Sequence, residues 1–335
     1  MLADCGVLGM RRSAAKTDGK IMKTKTRRNS CFLVITAFIW GVAFVAQSAG
    51  GDAVGPYSFN FTRNIIGCLV LLPVIALLEK LGFASRKPST KAERKQLILG
   101  GICCGCALFA ASTLQQVGIN SGVSAGKAGF FTACYIILVP IFGIFLKRKC
   151  GWNVWLGVLL TIGGLYLLSM SGNEGIQTAD LLVMLCAVCF AVHILVIDHF
   201  TSLVDGVRMA SIQFLTCGLL SAIPMIFCEI GFAPGGFSAW AGSFCSQTAW
   251  ISILYAGIGS SGVAYTLQIV GQEDVNPTIA SLIMSLESVF SALAGWLILH
   301  ETMSAKELLG CGLVFAAVVL AQIHVGRGAG GRMKA

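Results

Sequence analysis

Charge is what this sequence has least of. Only 12% of its 335 residues are Asp, Glu, Lys or Arg, against roughly 25% in ordinary soluble domains. Apolar residues make up 56% and the mean hydropathy is +0.81, so lipid rather than water must solvate most of the chain. There is no nucleotide loop: Gly126-Lys127 lacks a glycine five residues upstream and a following Ser or Thr, and it opens an apolar run. No ATP-hydrolysing domain is therefore expected, nor any other cofactor. Paired loop cysteines are also missing. Most of the 14 cysteines, Cys103, Cys104, Cys106, Cys134, Cys186, Cys189 and Cys217 among them, lie inside apolar runs, where cysteine acts as a small hydrophobe.

What the chain does have is ten apolar segments, near 31–49, 57–78, 97–117, 122–146, 153–170, 179–198, 207–228, 248–270, 278–299 and 306–324. At about 1.5 Å rise per residue, twenty or so such residues cross about 30 Å of hydrocarbon. Backbone polar groups in lipid must be satisfied within each segment, so the expectation is an all-α integral membrane protein of ten transmembrane helices. The first run has no small-residue cleavage site behind it and reads as a retained signal anchor. Residues 1–30 form a basic tail. Its first 21 residues are expected to be unstructured, and Met22, followed by Lys-Thr-Lys-Thr-Arg-Arg, would serve equally well as a start.

The net charge of +9 does not signal nucleic acid, because of where the cations sit. If the connections alternate between two sides, twenty-one Lys and Arg collect on one side and Lys306 stands alone on the other. By the positive-inside rule both termini are cytoplasmic, including the short tail 325–335. The chain also repeats itself weakly. Leu-Gln-Gln-Val-Gly at 114–118 matches Leu-Gln-Ile-Val-Gly at 267–271, and Ala37 and Val42 fall on Ala187 and Val192. Two five-helix copies, 31–170 and 179–324, follow from this, and an odd number of spans makes the second enter from the opposite face.

FTRNIIGCLVLLP in the second segment, KAGFFTACYIILVPIFG in the fourth and SLIMSLESVFSALAGWLILHE in the ninth resemble the EamA family of the drug/metabolite transporter superfamily. The resemblance covers roughly residues 31–325. It implies two inverted EamA repeats, alternating access, and substrates such as amino acids, metabolites, drugs or sugars. One departure is Ser288, where many members carry proline after the ninth-helix glutamate.

Several polar residues lie too deep to be incidental. Glu287 sits near the middle of the ninth segment, where a carboxylate costs about 2.5–3.5 kcal/mol even on mild insertion scales. It could carry a proton, pair with Arg63, or make a static hydrogen bond to a neighbouring helix, whose close packing Ser281, Ser285, Ser288 and Ser291 favour. Arg63 shares a stripe with Tyr57, Asn60 and Asn64 and reads as a clamp for a carboxylate or phosphate, or as a structural arginine. Tyr135 and Trp40 are candidate cavity walls, Trp40 alternatively an interfacial ring. Lys127 is a second cation or, preferably, a snorkelling interfacial lysine.

His193 follows Cys186 and Cys189 in a C-x2-C-x3-H pattern that lacks a fourth metal ligand. A core histidine bonded to a neighbouring helix is the better reading, and a titrating pathway histidine the other. Cys189 beside His193 offers poor substrate approach for an intramembrane enzyme, since both lie on one helix. Gln116 leads a group of glutamines, with Gln47, Gln115, Gln213 and Gln268, able to bond a polar substrate or a neighbouring helix. The function expected is a secondary-active carrier of amino-acid-like or amphiphilic metabolites in the inner or plasma membrane, with export the family habit. Its expected partners are a small-molecule substrate, the bilayer and a proton or exchanged solute; a homodimer stays open.

Overall fold

The computed structural model describes residues 2–81, 87–147, 151–169, 177–232, 234–273, 275–298 and 304–323, with side chains from 26 to 321 except at 169, 295 and 298. Glu301 and the tail 325–335 lie outside them. Among the described residues there are helices and no strands. In order they are α1 (Leu2–Val54), α2 (Pro56–Lys80), α3 (Lys91–Asn120), α4 (Ala125–Ala133 and Tyr135–Phe145), α5 (Trp152–Ser169), α6 (Thr178–Phe200), α7 (Gly206–Pro224 and Met225–Gly231), α8 (Gln247–Gln272), α9 (Pro277–Met284 and Leu286–Ile298) and α10 (Ala305–Ile323). A short helix, Gly236–Ser243, lies between α7 and α8. Among the described residues eight helices are long and apolar enough to cross a membrane, and Trp152–Leu168 is a shorter apolar one. Helix α1 runs back to Leu2, so the segment 2–21 continues it instead of being unstructured. That segment contains no proline, and its Ala, Lys, Arg and Met favour helix.

Helix starts follow from local chemistry. Pro56 opens α2 after Gly55, whose φ of +88° suits glycine. Thr90 and Glu93 form a reciprocal capping box on α3. Ser124, Asp205 and Asn276 accept from backbone amides at the starts of α4, α7 and α9.

Two helices break for one residue: α4 at Cys134 (φ −59°, ψ −11°) and α9 at Ser285 (φ −61°, ψ −13°). These positions are 151 residues apart. At the second break Ser285 Oγ donates to the Leu282 carbonyl at 2.7 Å. Helix α8 widens into π-helix over the glycine- and serine-rich Tyr255–Tyr265, and α7 does so after Pro224.

The main helix contacts recur when the first five helices are exchanged for the last five. Helix α3 lies on α6 as α8 lies on α1; α4 touches α6 as α9 touches α1; α3 meets α7 as α8 meets α2. The self-matched pairs α2 with α7, α4 with α9 and α5 with α10 complete the set. The last is a small-residue seam: a Cβ on Gly164 would lie 2.7 Å from the Gly310 carbonyl, and one on Gly310 2.6 Å from that of Gly164. Gly101 and Gly105 press on α7 in the same way.

Helices α2 and α7 are also tied at both ends. At one, Glu229 accepts from the amides of Tyr57 (2.8 Å) and Ser58 (2.7 Å) and from the Ser58 hydroxyl, to which Trp240 Nε1 also donates at 2.7 Å. At the other, Arg208 pairs with Glu79 in a more exposed contact. Outward faces are apolar, with Leu69, Leu72, Ile144, Leu185, Leu219 and Phe315 exposed, whereas Arg63, Asn60, Gln116, His193 and Glu287 are all buried. This inverts a soluble protein and fits lipid as the outer solvent.

Candidate functional site

The buried polar groups converge on a cavity of about 30 Å³ between the two halves, room for one or two water-sized particles. Its aromatic wall is Trp40 and Phe44 on α1, Tyr135 on α4, Phe190 on α6 and Tyr265 on α8. Its polar wall is Gln47, Arg63, Gln115, Thr132, Ser260 and Glu287. Trp40 and Tyr265 stack obliquely with ring centroids 4.6 Å apart. Ser260 and Tyr265 reach the cavity from the π-helical part of α8, a local widening often found at functional sites.

Glu287 is 3% exposed, and Tyr135 Oη donates to its Oε1 at 3.0 Å. Two contacts hold the acid's helix in place. Ser288 Oγ donates to the Gly129 carbonyl at 3.0 Å, fastening α9 to α4. On the other side Gly41 lets α1 approach closely: a Cβ there would lie 2.5 Å from Phe290 Cβ and 2.8 Å from the Glu287 carbonyl.

Arg63 is equally buried, at 3%. Its guanidinium carbon lies 5.6 Å from the Phe59 ring centroid. Its Nε has no hydrogen-bond partner, and among the described residues Arg63 forms no ion pair. The sequence allowed Glu287 to pair with Arg63; in this conformation Glu287 is bonded to Tyr135 instead.

Of the residues singled out from sequence, Trp40, Arg63, Tyr135 and Glu287, with Gln47 and Gln115 from the glutamine group, line this one cavity. Asn60, Gln116 and His193 turn to neighbouring helices. Asn60 Nδ2 donates to the Ser112 carbonyl at 3.1 Å, joining α2 to α3. Gln116 Nε2 donates to the Gln47 carbonyl at 2.8 Å and to Asn120 Oδ1 at 3.0 Å, joining α3 to α1. His193 Nε2 bonds Gln213 Oε1 at 2.9 Å, and the ring stands edge-on to Tyr265, one layer behind the cavity. Among the described residues no group of three His, Cys, Asp or Glu is placed to hold a metal ion.

Lys127 departs from the snorkelling reading. Its Nζ lies 3.5 Å from Asp180 Oδ2, tying α4 to the first turn of α6, with side chains only 18% and 2% exposed. Phe44, Phe190 and Tyr265 were not singled out from sequence, because an aromatic inside an apolar run has no distinguishing pattern. Phe190 had one usable signal: it lies 150 residues after Trp40, at the offset that relates Ala37 to Ala187.

The model of the EamA-like transporter family matches residues 28–170 and again 177–322. The chain belongs to this family. The two EamA matches coincide with the halves whose packing exchanges. An "Uncharacterized transporter" of Archaeoglobus fulgidus is 29% identical over 299 residues, covering 88% of this chain and 85% of that protein. The "Uncharacterized inner membrane transporter YedA" of Escherichia coli is 22% identical over 299 residues, covering 84% and 86%. A solved crystal structure shares the fold with a TM-score of 0.69 at 19% identity, covering 88% of this chain and 96% of that one. This EamA protein is thus a multi-pass membrane transporter of small molecules, and its buried polar cavity stands between the two repeats.

Proposed function

We propose that this EamA protein is a secondary-active carrier that moves an amino-acid-like or similar amphiphilic metabolite by alternating access. One observation carries the reading: an unpaired guanidinium, Arg63, and a carboxyl, Glu287, face the same aromatic-walled cavity from opposite repeats without forming an ion pair. Buried charge without a partner is costly, and membrane proteins keep it for transport pathways. Arg63 would take the acidic group of the substrate in charge-assisted hydrogen bonds. Glu287, bonded to Tyr135 and sharing the cavity wall with Trp40 and Tyr265, would take its amine or, in the other half of the cycle, a proton.

At about 30 Å³ the cavity is smaller than any such substrate, so the helices must part to load it. The swappable packing supports ten spans in two inverted five-helix repeats. The cation count supports cytoplasmic termini in the inner or plasma membrane. Asn60, Gln116 and His193 would then position the cavity helices and not touch substrate. Flux into reconstituted vesicles, measured across a metabolite panel with and without a pH gradient, tests the reading. Movement of no amphiphilic solute under either condition would sink it.

A further inference from the structure

Arg63 presents a chemical problem that the substrate solves for only part of the cycle. A carrier that performs net transport also changes conformation without substrate, and in the substrate-free shape Arg63 is only 3% exposed and, among the described residues, forms no ion pair. Glu287 is the other charged residue on the cavity wall, but it is turned to Tyr135. Phe59 offers only a ring face, and Gln115, the amide nearest in kind, donates to Thr132 Oγ1 at 2.9 Å. The cavity beside Arg63 holds about 30 Å³, enough for a particle of roughly water size and too little for a carboxylic acid with a side chain.

We infer that the substrate-free closed carrier binds a small monovalent inorganic anion, of the size of chloride, against Arg63 in the place the substrate's acidic group later takes. Paired in this way the guanidinium crosses the membrane's low-dielectric interior as a neutral unit whether or not substrate is aboard. Size makes the site selective. Chloride and bromide fit, whereas sulfate and gluconate do not. The inference rests on the proposed function for the substrate that later displaces the anion, but the anion site itself holds or fails on binding alone.

The test uses the purified full chain in detergent without substrate. Thermal melting is followed at equal ionic strength in sodium chloride, bromide, gluconate and sulfate. Chloride and bromide should raise Tm by a few degrees in a saturable way, as a ligand of the folded state does. Gluconate should not, sulfate should give only the unsaturable rise of a salt excluded from the surface, equal in native protein and Arg63→Gln, and Arg63→Gln should abolish the saturable halide response. Identical melting in all four salts, or an undiminished chloride response in Arg63→Gln, overturns the inference. Should that variant not fold, bromide quenching of tryptophan fluorescence in the native protein decides. Trp40 lines the same cavity, so a saturable component should appear and should vanish in Trp40→Phe; quenching that is strictly linear, or unchanged by Trp40→Phe, overturns it too. A protein that binds chloride yet moves no solute would refute the transport reading alone, and one that transports with no halide effect would refute this inference alone.

Discussion

The two repeats agree in shape and differ in chemistry. Both interrupt their fourth helix at the same point, Cys134 in α4 and Ser285 in α9, with backbone angles within a few degrees of each other. Both send an aromatic from their first helix to the cavity, Trp40 and Phe190. Yet Arg63 in α2 has buried Phe214 as its counterpart 151 residues on, and Glu287 in α9 corresponds at the same offset to buried Ile136 in α4. One repeat supplies the cation and the other the acid. Duplication thus accounts for the frame, and the substitutions that followed account for a cavity with two unlike ends, which is what a zwitterion needs.

Breaking that asymmetry at Arg63 should have the largest effect. Arg63→Ala removes a charged hydrogen-bonding partner worth about 1.5–3 kcal/mol, so apparent substrate affinity in vesicle flux should fall by roughly 10- to 100-fold. Unaltered affinity would reject the clamp. On the other repeat, Glu287→Gln keeps the shape and the bond to Tyr135 but cannot carry a proton. Exchange of labelled for unlabelled substrate should persist while dependence on a pH gradient disappears, and an intact pH dependence would show the proton travels elsewhere.

The seam between the repeats can be probed without touching charge. Gly41→Ala places a methyl group against Phe290 and the Glu287 carbonyl, and overpacking of this kind costs about 1–3 kcal/mol. Melting should report that loss, with Gly126→Ala, which meets nothing within 4 Å, as the silent control. The smallest pair of effects lies at the two ends of α2. Glu229→Gln gives up a carboxylate seated on two amides and should lower Tm measurably. Glu79→Gln breaks only exposed, salt-screened pairs with Arg208 and Lys87 and should leave Tm unchanged.

Much of this arrangement was legible in the sequence, and the limit has a physical cause. Apolar runs reveal where helices are, and position along a run reveals depth. That was enough to single out Arg63, Tyr135, Trp40 and Glu287. Depth does not reveal azimuth. Asn60 lies one turn from Arg63 on the same helix, yet it bonds to α3, and Gln116, next to the cavity-lining Gln115, turns to α1. Which way a side chain points is set by packing between helices distant in sequence.

The same cause hid the partner of Lys127, since Asp180 belongs to the other repeat. The clasp at Glu229 was hidden as well: its partners are backbone amides, which every residue has. The break in α9 falls at Ser285, whose Oγ bonds back to its own helix, and no residue there marks a break in the sequence, since Ser288 stands where a family proline would.

The cavity's small volume has a practical corollary. A ligand too large for about 30 Å³ must draw the population away from this shape as it binds. By linkage, an antibody fragment or synthetic binder raised against this shape would oppose loading to the same degree. Such a reagent would be an inhibitor acting from the protein's surface, and it could be selected before the cargo itself is known.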